Sequence, residues 1–156
     1  MKIGLKTDKI MKENTLISEI MTRYVITVNP NTTVDKVLEM FGNEQIHHLP
    51  VTTNGQLAGI ISKIDVYRIT HCIDLFRSKS NEEYNHKLLK SLLAEEIMTK
   101  DVVTLSPNDT VMKAAALFSQ NRYHAIPIVQ DGKLVGILST FDLVEFAFNQ
   151  SLKPAL

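Results

Sequence analysis

One pattern occurs twice in this chain. Gly59-Ile60-Ile61-Ser62-Lys63-Ile64-Asp65 returns as Gly136-Ile137-Leu138-Ser139-Thr140-Phe141-Asp142, offset by 77 residues. The same offset relates Pro50 to Pro127, in Leu49-Pro50-Val51 and Ile126-Pro127-Ile128, and the turn pair Asn54-Gly55 to Asp131-Gly132. An offset kept without insertion marks a duplicated structural unit. Whatever fold the first copy adopts, the second adopts too.

Within a copy the pattern changes period in a fixed order. Tyr24-Val25-Ile26-Thr27-Val28 is β-branched and aromatic and predicts a strand. Asn29-Pro30-Asn31 predicts a turn, and Thr32 with Asp35 a capping box. Val34, Val37, Leu38 and Phe41 lie on one face of a helix that Gly42-Asn43 should stop. Two strands near residues 48–52 and 57–62 follow, joined at Asn54-Gly55, the strongest short hairpin signal. A second helix starts after Ser62. The second copy repeats this: a strand at 102–105, a helix carrying Val111, Ala114, Ala115 and Phe118, strands at 126–129 and 134–139, and a helix from Phe141.

The fold class read here is α+β, two strand-helix-strand-strand-helix repeats. Residues 1–15 form an N-terminal arm, 16–69 the first repeat, 70–93 a helical linker, 94–148 the second repeat and 149–156 a tail. Leu16-Ile17-Ser18-Glu19-Ile20-Met21 reads as a short helical turn entering the first repeat. The linker reads as two helical segments broken near Arg77-Ser78-Lys79-Ser80-Asn81, and Pro154 ends the last helix. A repeat of about fifty residues is too small to hold a good core alone. The two are therefore expected to face one another about a pseudo-twofold axis, leaving two equivalent clefts.

Composition narrows the function. Lys plus Arg equals Asp plus Glu at 17 each, so no net field draws nucleic acid or an anionic membrane. The single cysteine, Cys72, excludes an internal disulfide and suits a reducing compartment. No apolar run reaches bilayer length, and the N-terminus lacks the apolar stretch of a signal peptide. A cytoplasmic location is the expectation.

The repeated polar residues admit two roles. Ser62 with Asp65, and Ser139 with Asp142, have the spacing of a helix capping box. A carboxylate in a first helical turn also suits vicinal hydroxyls, beside an N-terminus that favours phosphate. The roles can coexist, one oxygen capping while the other accepts from a ligand. Gly59 and Gly136 interrupt strands, which calls for a bulge or a close approach of backbone or ligand. His47 and His124 occupy equivalent positions, whereas His48 is matched by Ala125 and Lys63 by Thr140. Each histidine reads either as locally satisfied or as a ligand group, and Lys63 either as a solvated residue or as added positive charge. Adjacent His47 and His48 point to opposite faces of a strand and make a poor metal site. With no Gly-rich phosphate loop and no recognisable nucleophile–base pair, the chain does not read as an enzyme.

Ile20-Met21-Thr22, Leu49-Pro50-Val51 and Gly59-x-x-Ser62-x-x-Asp65, echoed by Ile97-Met98-Thr99, Ile126-Pro127-Ile128 and Gly136-x-x-Ser139-x-x-Asp142, resemble the CBS domain in tandem. The resemblance runs over residues 16–146. It implies a paired module, often called a Bateman module, that holds an adenosyl ligand such as AMP, ADP or ATP as a regulator, with no cofactor required. It implies that Asp65 and Asp142 take the ribose hydroxyls, with Ser62 and Ser139 near ribose or phosphate. It further implies a crossed arrangement for the phosphates: His124 with the Asp65 site, and His47 and His48 with the Asp142 site. A homodimer signalling to an effector protein in trans is the expected context. The alternative is a ligand-free scaffold acting by dimerisation.

Overall fold

Asn54 and Gly55 have φ of 53° and 80°, and Asp131 and Gly132 have 50° and 76°. Both pairs lie in the left-handed region that two-residue hairpin turns of the type I′ class require. In the computed structural model, which describes residues 14–75 and 82–148, these turns close two hairpins. Strands β1 (His48–Thr53) and β2 (Gln56–Ser62) form one two-stranded sheet, and β3 (Ala125–Gln130) and β4 (Lys133–Ser139) the other. In the first hairpin Val51 faces Gly59 and Thr52 faces Leu57, so Ala58 is bulged out of the ladder. The two hairpins share one order of buried and exposed positions along their strands.

The strands expected at 24–28 and 102–105 are each reduced to a single bridge, Val28 to Val51 and Leu105 to Ile128, both parallel. The repeated prolines explain this. The Val28 N–H donates to the Pro50 carbonyl at 3.1 Å, and the Thr52 N–H to the Val28 carbonyl at 2.8 Å. The next rung needs an N–H from Pro50, which has none. The second copy stops in the same way: Leu105 donates to Pro127 at 3.2 Å and Val129 to Leu105 at 2.9 Å.

Helix α1 (Val34–Asn43) buries Val34, Val37 and Phe41, with Leu38 packed beside them. Its N-cap is Thr33, one residue later than the expected box, because Thr32 is engaged in the preceding turn, where its Oγ accepts from the Asn29 N–H at 3.2 Å. The helix also runs through Gly42 and Asn43 before stopping. Helices α2 (Lys63–Leu75) and α3 (Glu82–Ser91) account for the linker; the expected break lies outside the described residues, as do most of the N-terminal arm and the tail. Short α4 (Ala94–Ile97), α5 (Val111–Phe118) and α6 (Thr140–Phe148) complete the order. Thr110 caps α5, its Oγ accepting from the Lys113 N–H at 3.3 Å. Among the described residues no helix is long and apolar enough to cross a membrane.

The chain divides into two compact units that do not follow the repeats in sequence. The first unit is Val25–Val103 with Asp131–Leu134; the second contains residues 14–24, 104–130 and 135–148. The segment leading into each repeat completes the core of the other. Ile17, fully buried, packs with Leu105, Ala114, Phe118, Ile126, Ile128 and Leu138 in the second unit. Ala94, its counterpart, is buried with Val34, Val37, Leu49 and Ile61 in the first. The polar bonds match. Ile17 and Ser18 donate to the carbonyls of Asp109 and Pro107 at 2.9 and 3.0 Å, while Ala94 and Glu95 donate to Thr32 and Pro30 at 2.8 and 3.1 Å. The first N–H of α5, from Val111, goes to the Thr15 carbonyl, and that of α1, from Val34, to the Leu92 carbonyl. These bonds satisfy donors that a helix N-terminus leaves open. The segment at Leu16 thus forms the expected turn, a 3-10 turn over Ile17–Glu19, but packs in the second unit.

Two outcomes follow from this packing. A fragment spanning residues 25–103 should unfold cooperatively on heating, followed by circular dichroism, whereas one ending at Ser91 should not, because it lacks Ala94 and the Leu92 carbonyl. The other concerns Asp109. The Lys113 ammonium, donating at 2.7 Å, and then the Ser106 N–H, at 2.8 Å, hold its carboxyl below the usual carboxylate range against partial burial. A carboxyl lowered on folding stabilises above its unfolded value, about 3.9, and loses that contribution as pH falls through the folded value. Because Lys113 is more than half exposed, Asp109→Asn should cost only about 0.5 to 1 kcal/mol at neutral pH. Urea titrations should show the difference from wild type shrinking below about pH 4.

Candidate functional site

Strand β2 ends at Ser62, and helix α2 begins at the next residue; β4 ends at Ser139 before α6. At each junction the serine and the aspartate three residues later close a reciprocal cap. The Ser62 N–H and hydroxyl both donate to Asp65 Oδ2, at 2.9 and 2.6 Å, and the Asp65 N–H donates to Ser62 Oγ at 3.3 Å. In the second unit Ser139 N–H and hydroxyl donate to Asp142 Oδ2 at 2.6 Å each, and the return bond is 3.3 Å. The capping role read from the spacing is therefore present in both copies. Each cap uses a single carboxylate oxygen. Oδ1 of Asp65 and Oδ1 of Asp142 have no hydrogen-bond partner among the described residues, leaving two acceptors held in fixed orientation.

The histidines sit beside these caps through their backbone. The Lys63 N–H donates to the His47 carbonyl at 2.9 Å, and the Thr140 N–H to the His124 carbonyl at 3.0 Å. His47 and His124 are exposed; His48, the first residue of β1, is half-buried and pairs in register with Ser62. Each unit thus brings its own histidine backbone to its own Ser-Asp junction. Lys63 is exposed, and its ammonium reaches the Phe41 carbonyl near the end of α1 at 3.4 Å. Among the described residues no three His, Cys, Asp or Glu side chains group as metal ligands.

Gly59 and Gly136 owe their place to backbone approach. A Cβ on Gly59 would lie 2.5 Å from Met98 Sδ, 2.7 Å from its Cγ and 2.8 Å from the Thr99 carbonyl oxygen. On Gly136 it would lie 2.6 Å from Met21 Sδ, 3.1 Å from the Thr22 carbonyl oxygen and 3.2 Å from Met21 Cγ. The adjacent residues lock the approach: Ile60 and Thr99 exchange backbone bonds at 3.0 and 2.9 Å, as do Ile137 and Thr22 at 3.0 and 2.9 Å. Met21-Thr22 and Met98-Thr99 belong to the repeated motif, but no local pattern in the sequence ties them to these glycines. Their shared 77-residue offset was the available signal. A methionine can swing aside more easily than a bonded carbonyl, so Gly59→Ala should destabilise by about 1 to 3 kcal/mol and Gly136→Ala by less. Denaturant midpoints of the two variants check the order.

Known proteins resemble this chain in sequence and in fold. The family model of the CBS domain matches residues 17–71 and 94–149. The uncharacterized protein MJ1426 of Methanocaldococcus jannaschii is 30% identical over 166 residues, covering 93% of this chain and 98% of its own. The homoserine O-acetyltransferase of Methanococcoides burtonii is 27% identical over 132 residues, covering 83% of this chain, which spans only 24% of that enzyme. Among solved structures, CBSX2 in complex with AMP superposes with a TM-score of 0.71 at 24% identity, covering 86% of this chain and 97% of that one. The CBS domain pair of MJ0100, in complex with 5′-methylthioadenosine and S-adenosyl-L-methionine, gives 0.69 at 24% identity, covering 88% and 98%. At that identity the structures establish the fold alone. With both repeats matched over most of its length, this chain belongs to the CBS-domain family.

Proposed function

We propose that this chain is a regulatory module whose Ser-x-x-Asp caps bind an adenosyl ligand, with the response passed to a partner protein in trans. The observation that carries the reading is the unused Oδ1 of Asp65 and of Asp142, each oriented by a closed cap at a helix N-terminus. Such an oxygen accepts from a ribose hydroxyl without disturbing the cap, and the adjoining N-terminus favours a phosphate. CBSX2 with AMP, and MJ0100 with two adenosyl compounds, lend the ligand class. Regulation follows only if the ligand binds one shape of the protein better than another. The enzyme named among the relatives is about four times longer than the matched segment, in keeping with a module that regulates rather than catalyses. The ligand-free scaffold stands as the second reading, because the cap bonds alone account for both serines and both aspartates.

Calorimetric titration with AMP, ATP, S-adenosylmethionine and adenosine separates the two. Asp65→Asn and Asp142→Asn keep an acceptor for the cap but lose the charge, and each should weaken one site by about 1.5 to 3 kcal/mol. Under the same conditions His47→Ala, His48→Ala and His124→Ala should weaken phosphorylated ligands while sparing adenosine, and the site affected by each assigns the histidine to its aspartate. If no adenosyl compound binds at millimolar concentration, the scaffold reading is correct.

A further inference from the structure

The thioethers of Met98 and Met21 lie directly on the two strand glycines. A methyl group on Gly59 would stand 2.5 Å from Met98 Sδ, and one on Gly136 2.6 Å from Met21 Sδ. The two copies differ in how well that sulphur is covered. Met21 is 8% exposed and part of the second unit's core. Met98 is half-buried and packs against the first unit's core from outside. A small oxidant in water therefore reaches Met98 more readily than Met21, although both side chains hold the same place in their units.

We propose that Met98 is a sulfoxidation site, through which a peroxide loosens the first unit and spares the second. The sulphur lone pair attacks the peroxide; the S–O bond forms, the O–O bond breaks, and with hydrogen peroxide the other oxygen leaves as water. The sulphur is oxidised and the peroxide reduced. The product is a polar, chiral sulfoxide in place of a flexible apolar side chain. Against Gly59 it has nowhere to go. There is no room for one more carbon, and the Thr99 carbonyl oxygen, 2.8 Å from the same point, is an acceptor that offers the new oxygen no bond. Burying a polar oxygen without a donor is costly, so the oxidised side chain turns outward and uncovers Gly59. Beside that glycine Ile60 and Thr99 exchange backbone bonds at 3.0 and 2.9 Å. Reached by water, the pair opens more often. Methionine sulfoxide reductases reverse the change, one enzyme for each epimer. The site is assigned independently of any ligand at the Ser-Asp caps.

Hydrogen peroxide added to the whole chain tests the site. Peptide mass spectrometry should find Met112, 45% exposed on α5, converted first as a control. Met98 should follow, with Met21 about tenfold or more slower than Met98. Hydrogen exchange followed by NMR should then show the Ile60 and Thr99 amides exchanging about tenfold faster or more, with those of Ile137 and Thr22 unchanged. Treatment with the reductases should restore slow exchange, which reads the effect in the wild-type chain without any substitution. Met98→Leu, a swap of similar volume, should keep its slow exchange through the peroxide treatment. The proposal is overturned if Met21 is converted before Met98. It is equally overturned if the Met98 sulfoxide leaves the Ile60 and Thr99 amides as slow as before, or if Met98→Leu loosens at this pair as wild type does.

Discussion

Two backbones approach closely at Gly59 and again at Gly136, and the rest of each unit depends on that approach. With no side chain on the glycine, the carbonyl of Thr99 or Thr22 comes close enough for the neighbouring residue to exchange two backbone hydrogen bonds with it. That contact seats the Ile-Met-Thr segment on the hairpin. Once seated, the segment buries Ala94 in one unit and Ile17 in the other, and lends a carbonyl to the first N–H of α1 or α5. Apolar burial and helix capping, separate terms elsewhere, are coupled here through one missing methyl group. The glycine of the Gly-x-x-Ser-x-x-Asp motif is thus a packing residue, while the serine and aspartate close the helix cap.

Under the proposed function, the cap bonds would also prepare the aspartates for a ligand. A free carboxylate at a helix start would sample several rotamers, and a ligand would have to fix one at an entropic cost. Here two donors from Ser62 or Ser139 hold Oδ2. That cost is met when the chain folds, and Oδ1 is already oriented. The same serine hydroxyl both gives to the carboxylate and receives from the aspartate N–H, so Oδ1 is the one polar atom of the cap left over.

Much of this was legible from the residues themselves. Asn54-Gly55 and Asp131-Gly132 placed both hairpins, because few dipeptides tolerate two successive left-handed residues. The Val34, Val37, Phe41 stripe placed α1, since helical periodicity is a local signal. The motif likewise placed Ser62 and Asp65 at a helix start. What the sequence hid was non-local or depended on the direction of one bond. The strand propensity of Tyr24 to Val28 says nothing of a missing N–H at Pro50, some two dozen residues away, that ends the ladder at one bridge. Thr32 and Thr33 are equally good caps on composition; the turn at Asn29 decides between them by engaging the first. The exchange of leading segments leaves no trace in hydrophobic period, because Ile17 looks apolar whichever core it enters.

That exchange sets an order on synthesis. A ribosome delivers Ile17 and Thr22 well before their partners, which extend to Leu138. At ordinary elongation rates the leading segment waits on the order of ten seconds with its apolar residues uncovered. The first unit's main body, by contrast, is complete once Val103 has emerged. The nascent chain therefore passes through a stage with one finished core and, upstream of it, one strip of apolar residues still without its partners. A neighbouring ribosome on the same message carries an identical strip. Two chains at that stage could trade strips and finish each other's second core, so the connection that completes each unit from a distance also offers an intertwined assembly its starting point.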